Sequence, residues 1–194
     1  MDLTERKLSE KALFESEHRF RLMFENHNAV MLLIEPKNGM IVNSNHSASK
    51  FYGYSKNELN SMRIEDINTS TPEDIKKDRM HAIDKLANTF VFKHRLKTGE
   101  LRDVQVHSTP IEYKNQKLLF SIIFDITKRK QAEVALLQNQ KRYKKAQEMG
   151  HVGNWEYCPH QGLFWGSDEA KRIYGFELGS RDFTSEKVES CIPE

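Results

Sequence analysis

Residues 125–143 read DITKRKQAEVALLQNQKRY, and residues 2–20 read DLTERKLSEKALFESEHRF. The two stretches align without a gap at an offset of 123 residues, from Thr4 to Thr127. Asp2 and Asp125, Arg6 and Arg129, Lys7 and Lys130, Glu10 and Glu133, Ala12 and Ala135, Leu13 and Leu136, and Arg19 and Arg142 are identical pairs, and Phe20 faces Tyr143. In each copy a short Asp-x-Thr element runs into a charged stretch with helical spacing of its apolar residues. The same device twice, one domain length apart, marks the points where a folded domain ends and hands its chain to a helix.

Between and after the copies there is room for one full domain and a remainder, since the chain has 194 residues. Lys and Arg number 30 against 28 Asp and Glu, a net charge of +2, which gives no electrostatic reason to expect nucleic acid. No apolar run approaches the ~18 residues of a membrane span, so no membrane contact is expected within this segment. The two cysteines, Cys158 and Cys191, lack metal-ligand spacing. They point to a reducing, cytoplasmic setting in place of a disulfide framework.

Residues 4–26 read as an amphipathic helix with Leu8, Leu13, Phe20, Met23 and Phe24 among charges. Residues 29–35 (AVMLLIE) and 40–43 form two strands around the turn Pro36-Lys37-Asn38-Gly39. Small helices follow. Ser55 and Glu58 make a capping box. Thr71-Pro72-Glu73-Asp74 opens a helix whose buried side is expected to be Ile75, Met80, Ile83 and Leu86.

Three more strands come next. Residues 89–96 (TFVFKHRL) alternate, with Phe90 and Phe92 on one side and Val91, Lys93 and Arg95 on the other. Residues 101–111 carry Val104, Val106 and Ser108 on one side. Residues 117–125 (KLLFSIIFD) are apolar on both sides: Leu119, Ser121 and Ile123 on one, Phe120, Ile122 and Phe124 on the other. Such a strand belongs in the middle of a sheet covered on both faces, with the small helices on one face and the helix of residues 4–26 on the other. After the second helix, residues 151–158 and 163–167 begin a new strand pair, and Tyr174-Gly175-Phe176 echoes Tyr52-Gly53-Tyr54. The expected fold is α+β, a five-stranded antiparallel sheet with short helices on one face and long flanking linker helices.

This order of elements resembles a PAS domain. The resemblance rests on Glu25-Asn26, Gly39-x-Ile41-Val42-x-x-Asn45, Gly53-Tyr54-Ser55-x-x-Glu58-Leu59, Thr98-Gly99 and Asp125-Ile126-Thr127-x-Arg129-Lys130. Gly153-x-Trp155 and Phe164-Trp165-Gly166-Ser167-Asp168-Glu169 resemble the opening of a second copy. The expected organisation is therefore an N-terminal linker helix over 1–16, a PAS domain over 17–127, a linker or signalling helix over 128–149 and an incomplete second PAS domain over 150–194. The chain reads as a piece of a tandem sensor array, of the kind often found in sensor histidine kinases.

The resemblance implies a ligand pocket between sheet and helices, for which Phe92, His94, Val104, Val106, Ser108, Ser121 and Ile123 are the candidates. His94 reads as a hydrogen-bonded core histidine in preference to a ligand contact. Ser121 either leaves room for a ligand or accommodates a bulky neighbour. The family's cysteinyl–flavin chemistry is excluded for the first domain, which has no cysteine. Haem is disfavoured, because Asp78 occupies the position of the family's haem histidine and His81 is out of register.

No histidine has a phosphoacceptor or metal-site setting, and there is no phosphate-binding loop or nucleophile elbow. The chain is thus expected to be non-catalytic: a sensory module that relays a change through Asp125 and Thr127 to an output domain such as a histidine kinase. It is expected to pair as a homodimer through Leu8, Leu13, Phe20, Leu136 and Tyr143. The alternatives are a ligand-free protein-interaction scaffold and, less favoured, a haem-based gas sensor. Expected partners are a second copy, other domains of the parent protein and a small-molecule ligand, with no nucleic acid.

Overall fold

The computed structural model describes residues 11, 15, 18, 19, 21–84, 88–113, 116–178, 183, 184, 187 and 190. The chain divides into two compact units, Met1–Lys130 and Gln131–Glu194. Leu8, Leu13, Phe20 and Leu86 lie outside the described residues.

The first unit is built on a five-stranded antiparallel sheet. Its strands are β1 (Val30–Ile34), β2 (Ile41–Ser44), β3 (Thr89–Arg95), β4 (Leu101–Tyr113) and β5 (Gln116–Asp125), in the order β2-β1-β5-β4-β3. The two-sided strand β5 is central, as its apolar pattern requires. Between β2 and β3 lie α1 (His46–Tyr52), α2 (Lys56–Leu59), α3 (Ile64–Ile67) and α4 (Pro72–Ile83).

Local chemistry sets the ends of these helices. The Asn45 side chain caps α1 by accepting from Ala48 N, and Gly53 closes it at φ +80°, a conformation that costs any other residue. Ser55 and Glu58 form the expected capping box on α2. Thr71 caps α4, with Pro72 in its first turn.

Period-two alternation divides the sheet into two faces. The inner face packs Leu32, Ile34, Val104, Val106, Leu119 and Ile123 against Tyr52, Leu59, Ile67, Ile75 and Ala82 of the helical layer. Each such fully buried aliphatic side chain contributes about 1.5–3 kcal/mol. The outer face gathers Met31, Leu33 and Leu118 around Phe24, which reaches it from the helical segment 21–25. The Phe24 and Phe120 rings lie 6.4 Å apart.

Two expectations need correction. Phe124, at the far end of the outer face, is half exposed, because Phe24 and its neighbours cover the other end. On α4 the buried face is Ile75, Arg79 and Ala82, with Met80 exposed. The helix is turned by about one residue from the purely apolar reading, and the contacts that hold Arg79 (below) account for the turn.

α5 (Thr127–Gly150) leaves the end of β5 and runs into the second unit. That unit holds β6 (Trp155–Cys158), β7 (Leu163–Gly166), α6 (Asp168–Tyr174) and β8 (Phe183–Thr184), in the sheet order β6-β7-β8. α6 repeats the design of α1: seven residues, a side-chain cap from Ser167, and a left-handed Gly175 to end it. Trp155 packs edge-on against Tyr174, Phe176 and Phe183.

Candidate functional site

A cavity of about 40 Å³ lies between the inner sheet face and helices α3 and α4. β3 supplies Phe90, Phe92 and His94, whose rings stack in file at 5.9 and 6.0 Å. β4 supplies Val106 and Ser108, and β5 supplies Leu119, Ser121 and Ile123. Ser108 and Ser121 are register partners, and their hydroxyl oxygens lie 2.8 Å apart. Of the residues read from the sequence, Phe92, His94, Val106, Ser108, Ser121 and Ile123 thus line one space. Val104 does not: it is fully buried in the core beyond the cavity, opposite Asp125 where β5 ends.

The polar part of the lining is richer than the strand pattern suggests. His94 is buried, and its Nδ1 lies 2.9 Å from the hydroxyl of Tyr52, which is also fully buried. Burial holds the imidazole neutral, pushing its pKa down to about 4. Burial also raises the pKa of the Tyr52 phenol, which keeps its proton.

Arg79 sits in the wall at 7% exposure. Its Nε donates to the Pro36 carbonyl at 3.1 Å, and its Nη1 is paired with the Glu65 carboxylate. Asp78 also lines the cavity, and desolvation raises its carboxyl pKa. Asn68 completes the set, bridged to His94 through the backbone. No cysteine lines this space, and His81 is not among its walls. The residues present therefore offer neither a flavin-reactive thiol nor a helix-borne axial histidine.

Sequence reasoning missed Tyr52, Asn68 and Arg79. For Arg79 a signal existed: it shares helical spacing with Ile75 and Ala82. Tyr52 and Asn68 carry no comparable local pattern.

The second feature is the joint where β5 becomes α5. Thr127 N donates to Asp125 Oδ1 at 2.9 Å, and the other Asp125 oxygen pairs with Arg102 at 3.2 Å. Thr127 Oγ1 accepts from Asp103 N at 2.9 Å, and Ile126 N donates to Asp103 O at 2.9 Å. The Asp103 carboxylate takes Lys130 at 3.0 Å and Lys93 at 3.1 Å. These bonds, Lys130 first, hold its pKa below the usual carboxylate range. Asp103, which the sequence did not single out, is therefore the hub of the joint.

Beyond Lys130, α5 exposes Val134, Leu136, Leu137 and Tyr143. The Tyr143 hydroxyl accepts from Asn154, and Lys144 pairs with Asp168 at 2.7 Å. Among the described residues, no helix is long and apolar enough to cross a membrane.

A five-stranded antiparallel sheet with a cavity on its inner face and a helix leaving its central strand is an α+β fold with a candidate ligand site. Residues 15–128 match the family model for the PAS domain, and the chain belongs to that family, a sensory domain of signalling proteins.

The chain is 32% identical over 173 residues to the methyl sulfide methyltransferase-associated sensor of Methanosarcina acetivorans, covering 87% of this chain and 17% of that protein. It is 35% identical over 117 residues to a diguanylate cyclase of Escherichia coli, covering 58% and 28%. Sporulation kinase E of Bacillus subtilis matches at 26% over 155 residues, covering 79% and 20%. The chain thus spans less than a third of the length of each of these relatives. Among solved structures, the PAS domain of an HTR-like protein from Haloarcula marismortui superposes with a TM-score of 0.54 at 21% identity, over 62% of this chain and 99% of that one. That likeness shows the fold.

Proposed function

We propose that the first unit senses a small molecule in its cavity and relays the state of that cavity to α5. One observation carries the reading. The two strands that give the cavity its serine pair, β4 and β5, are the strands that meet at the joint: Val104 faces Asp125, with Arg102 and Asp103 immediately before it. Ser121 is four residues from Asp125, about 13 Å along a strand. A shift of β5 at Ser121 therefore acts on Asp125 and Thr127 through a stiff hydrogen-bonded element, and on the first turn of α5.

α5 then serves as the output rod. Its exposed Leu136 and Tyr143 are the surface through which two copies pair, and the output domain belongs to a longer parent protein. The names of the relatives, a sensor, a diguanylate cyclase and a sporulation kinase, support a signalling parent. A histidine kinase output fits among them. Residues 150–194 are read as the opening half of a second PAS domain, on the strength of the repeated α1 and α6 design.

The test is made without any ligand. Ser121→Val removes the hydroxyl that bonds Ser108 and places two methyl groups in the cavity. Backbone amide resonances of the full chain are compared with and without the substitution. The relay predicts shifts at Asp103, Thr127 and Lys130 as well as around the cavity. Changes confined to residues lining the cavity would remove the relay.

A further inference from the structure

Five buried side-chain polar atoms among the described residues lack a hydrogen-bond partner, and two of them belong to cavity residues: Asn68 Nδ2 and His94 Nε2. Both residues are more than nine-tenths buried, at 5% and 1% exposure. The backbone bridge between them places their Cα atoms about 5 Å apart, side by side on the same wall.

Asn68 Nδ2 is a donor, and hydrogen-bond counting assigns His94 Nε2 as a second. Asn68 Oδ1 accepts from Ser70 N at 2.9 Å, which fixes the amide so that its NH₂ group is the free end. The Tyr52 hydroxyl meets no acceptor but His94 Nδ1 among the described residues; assigning it as the donor there leaves one orphaned group, His94 Nε2–H, whereas the reverse orphans both the phenol proton and Nε2. Two adjacent buried N–H donors without acceptors are costly to keep, and natural structures seldom keep them unsatisfied.

The charge around them narrows what can satisfy them. The Arg79 guanidinium is occupied by Glu65 and the Pro36 carbonyl. His94 is neutral, and the free carboxyl in the wall is Asp78. A carboxylate ligand would meet Asp78 with no uncommitted positive charge among the residues lining the cavity to offset it. A cation without an acceptor would leave both donors orphaned. Apart from Ser108 and Ser121, whose hydroxyls bond each other, the other walls are apolar, among them Leu32, Ile75, Phe92 and Ile123, and 40 Å³ admits only a few heavy atoms.

We infer that the cavity selects a small neutral molecule carrying a carbonyl-type acceptor oxygen, held by Asn68 Nδ2 and His94 Nε2, with its short apolar part against the aliphatic wall. This inference rests on the sensory reading above and names the ligand class of the same site.

The test uses the full chain, labelled with ¹⁵N, and three probes: propionamide, propionate and xenon. Long-range ¹H–¹⁵N spectra report the His94 ring. The expected result is an Nε2–H tautomer whose resonance moves and saturates with propionamide and does not move with propionate. Asn68→Leu weakens propionamide at least roughly tenfold and still admits xenon, which shows that the variant keeps its cavity. An Nδ1–H tautomer, equal binding of propionate, or propionamide affinity unchanged in Asn68→Leu would each overturn the inference. Failure of propionamide while Ser121→Val still shifts Asp103, Thr127 and Lys130 would overturn the ligand class and leave the relay standing.

Discussion

Replacing Thr127 by valine keeps the shape of the side chain and removes its oxygen, so it isolates the joint between β5 and α5. Thr127 is nearly buried, and its Oγ1 accepts from Asp103 N at 2.9 Å. The reverse contact, Oγ1 to Asp103 O, is longer at 3.4 Å, and that carbonyl keeps its bond from Ile126 N. The loss is therefore one good hydrogen bond plus an orphaned N–H at Asp103. A bond lost in this way costs about 1 kcal/mol net, and a stranded donor that is only half-buried, as Asp103 N is, adds the low end of about 1–3 kcal/mol, so the expected local destabilisation is about 2 kcal/mol. Native-state amide exchange reads it directly. Protection at Asp103, Thr127 and Lys130 should fall roughly 30-fold, while β1 amides such as Leu33 keep theirs. Unchanged protection at the three amides, or an equal fall throughout the sheet, would refute the assignment of this joint.

Three further outcomes are expected. The buried His94 refuses a proton until about pH 4, whereas the unfolded chain takes one below pH 6.5; the unfolded state binds more protons in that window, so stability falls as pH drops from 6.5 to 4, by about 3 kcal/mol, and urea unfolding of His94→Phe should lack this share of the slope. Asn45→Ala removes the α1 cap and strands Met31 N, which donates to Asn45 Oδ1 at 3.1 Å; the cost should be about 3 kcal/mol by denaturant midpoint. Leu136→Glu, at a site 60% exposed, should change folding stability by less than about 0.5 kcal/mol yet convert a dimer to a monomer in light scattering.

Much of this fold could be read locally. Alternation placed Phe90, Phe92 and His94 inward and left Val91 half exposed. The double-faced pattern of residues 117–125 put that strand at the centre of the sheet. Turn and cap chemistry marked Ser55, Thr71 and the Asp-Ile-Thr exit. What stayed hidden were polar partnerships between residues far apart in the chain. Tyr52 and His94 meet across 42 positions, and Asp103 and Thr127 across 24. Neither pair has a periodic signature, because a hydrogen bond between elements depends on how those elements dock. Arg79 was missed for a related reason. Read as a charge it belongs outside, and only its contacts with Glu65 and Pro36 make its burial tolerable.

The proposed relay requires the cavity and the exit of α5 to be energetically coupled through β5. A double-mutant cycle of Ser121→Val and Thr127→Val, read by amide exchange at Lys130, measures that coupling. An interaction energy of about 0.5–2 kcal/mol is expected between Ser121 in β5 and Thr127, six residues on in the first turn of α5. Effects that add to within about 0.3 kcal/mol would contradict the relay.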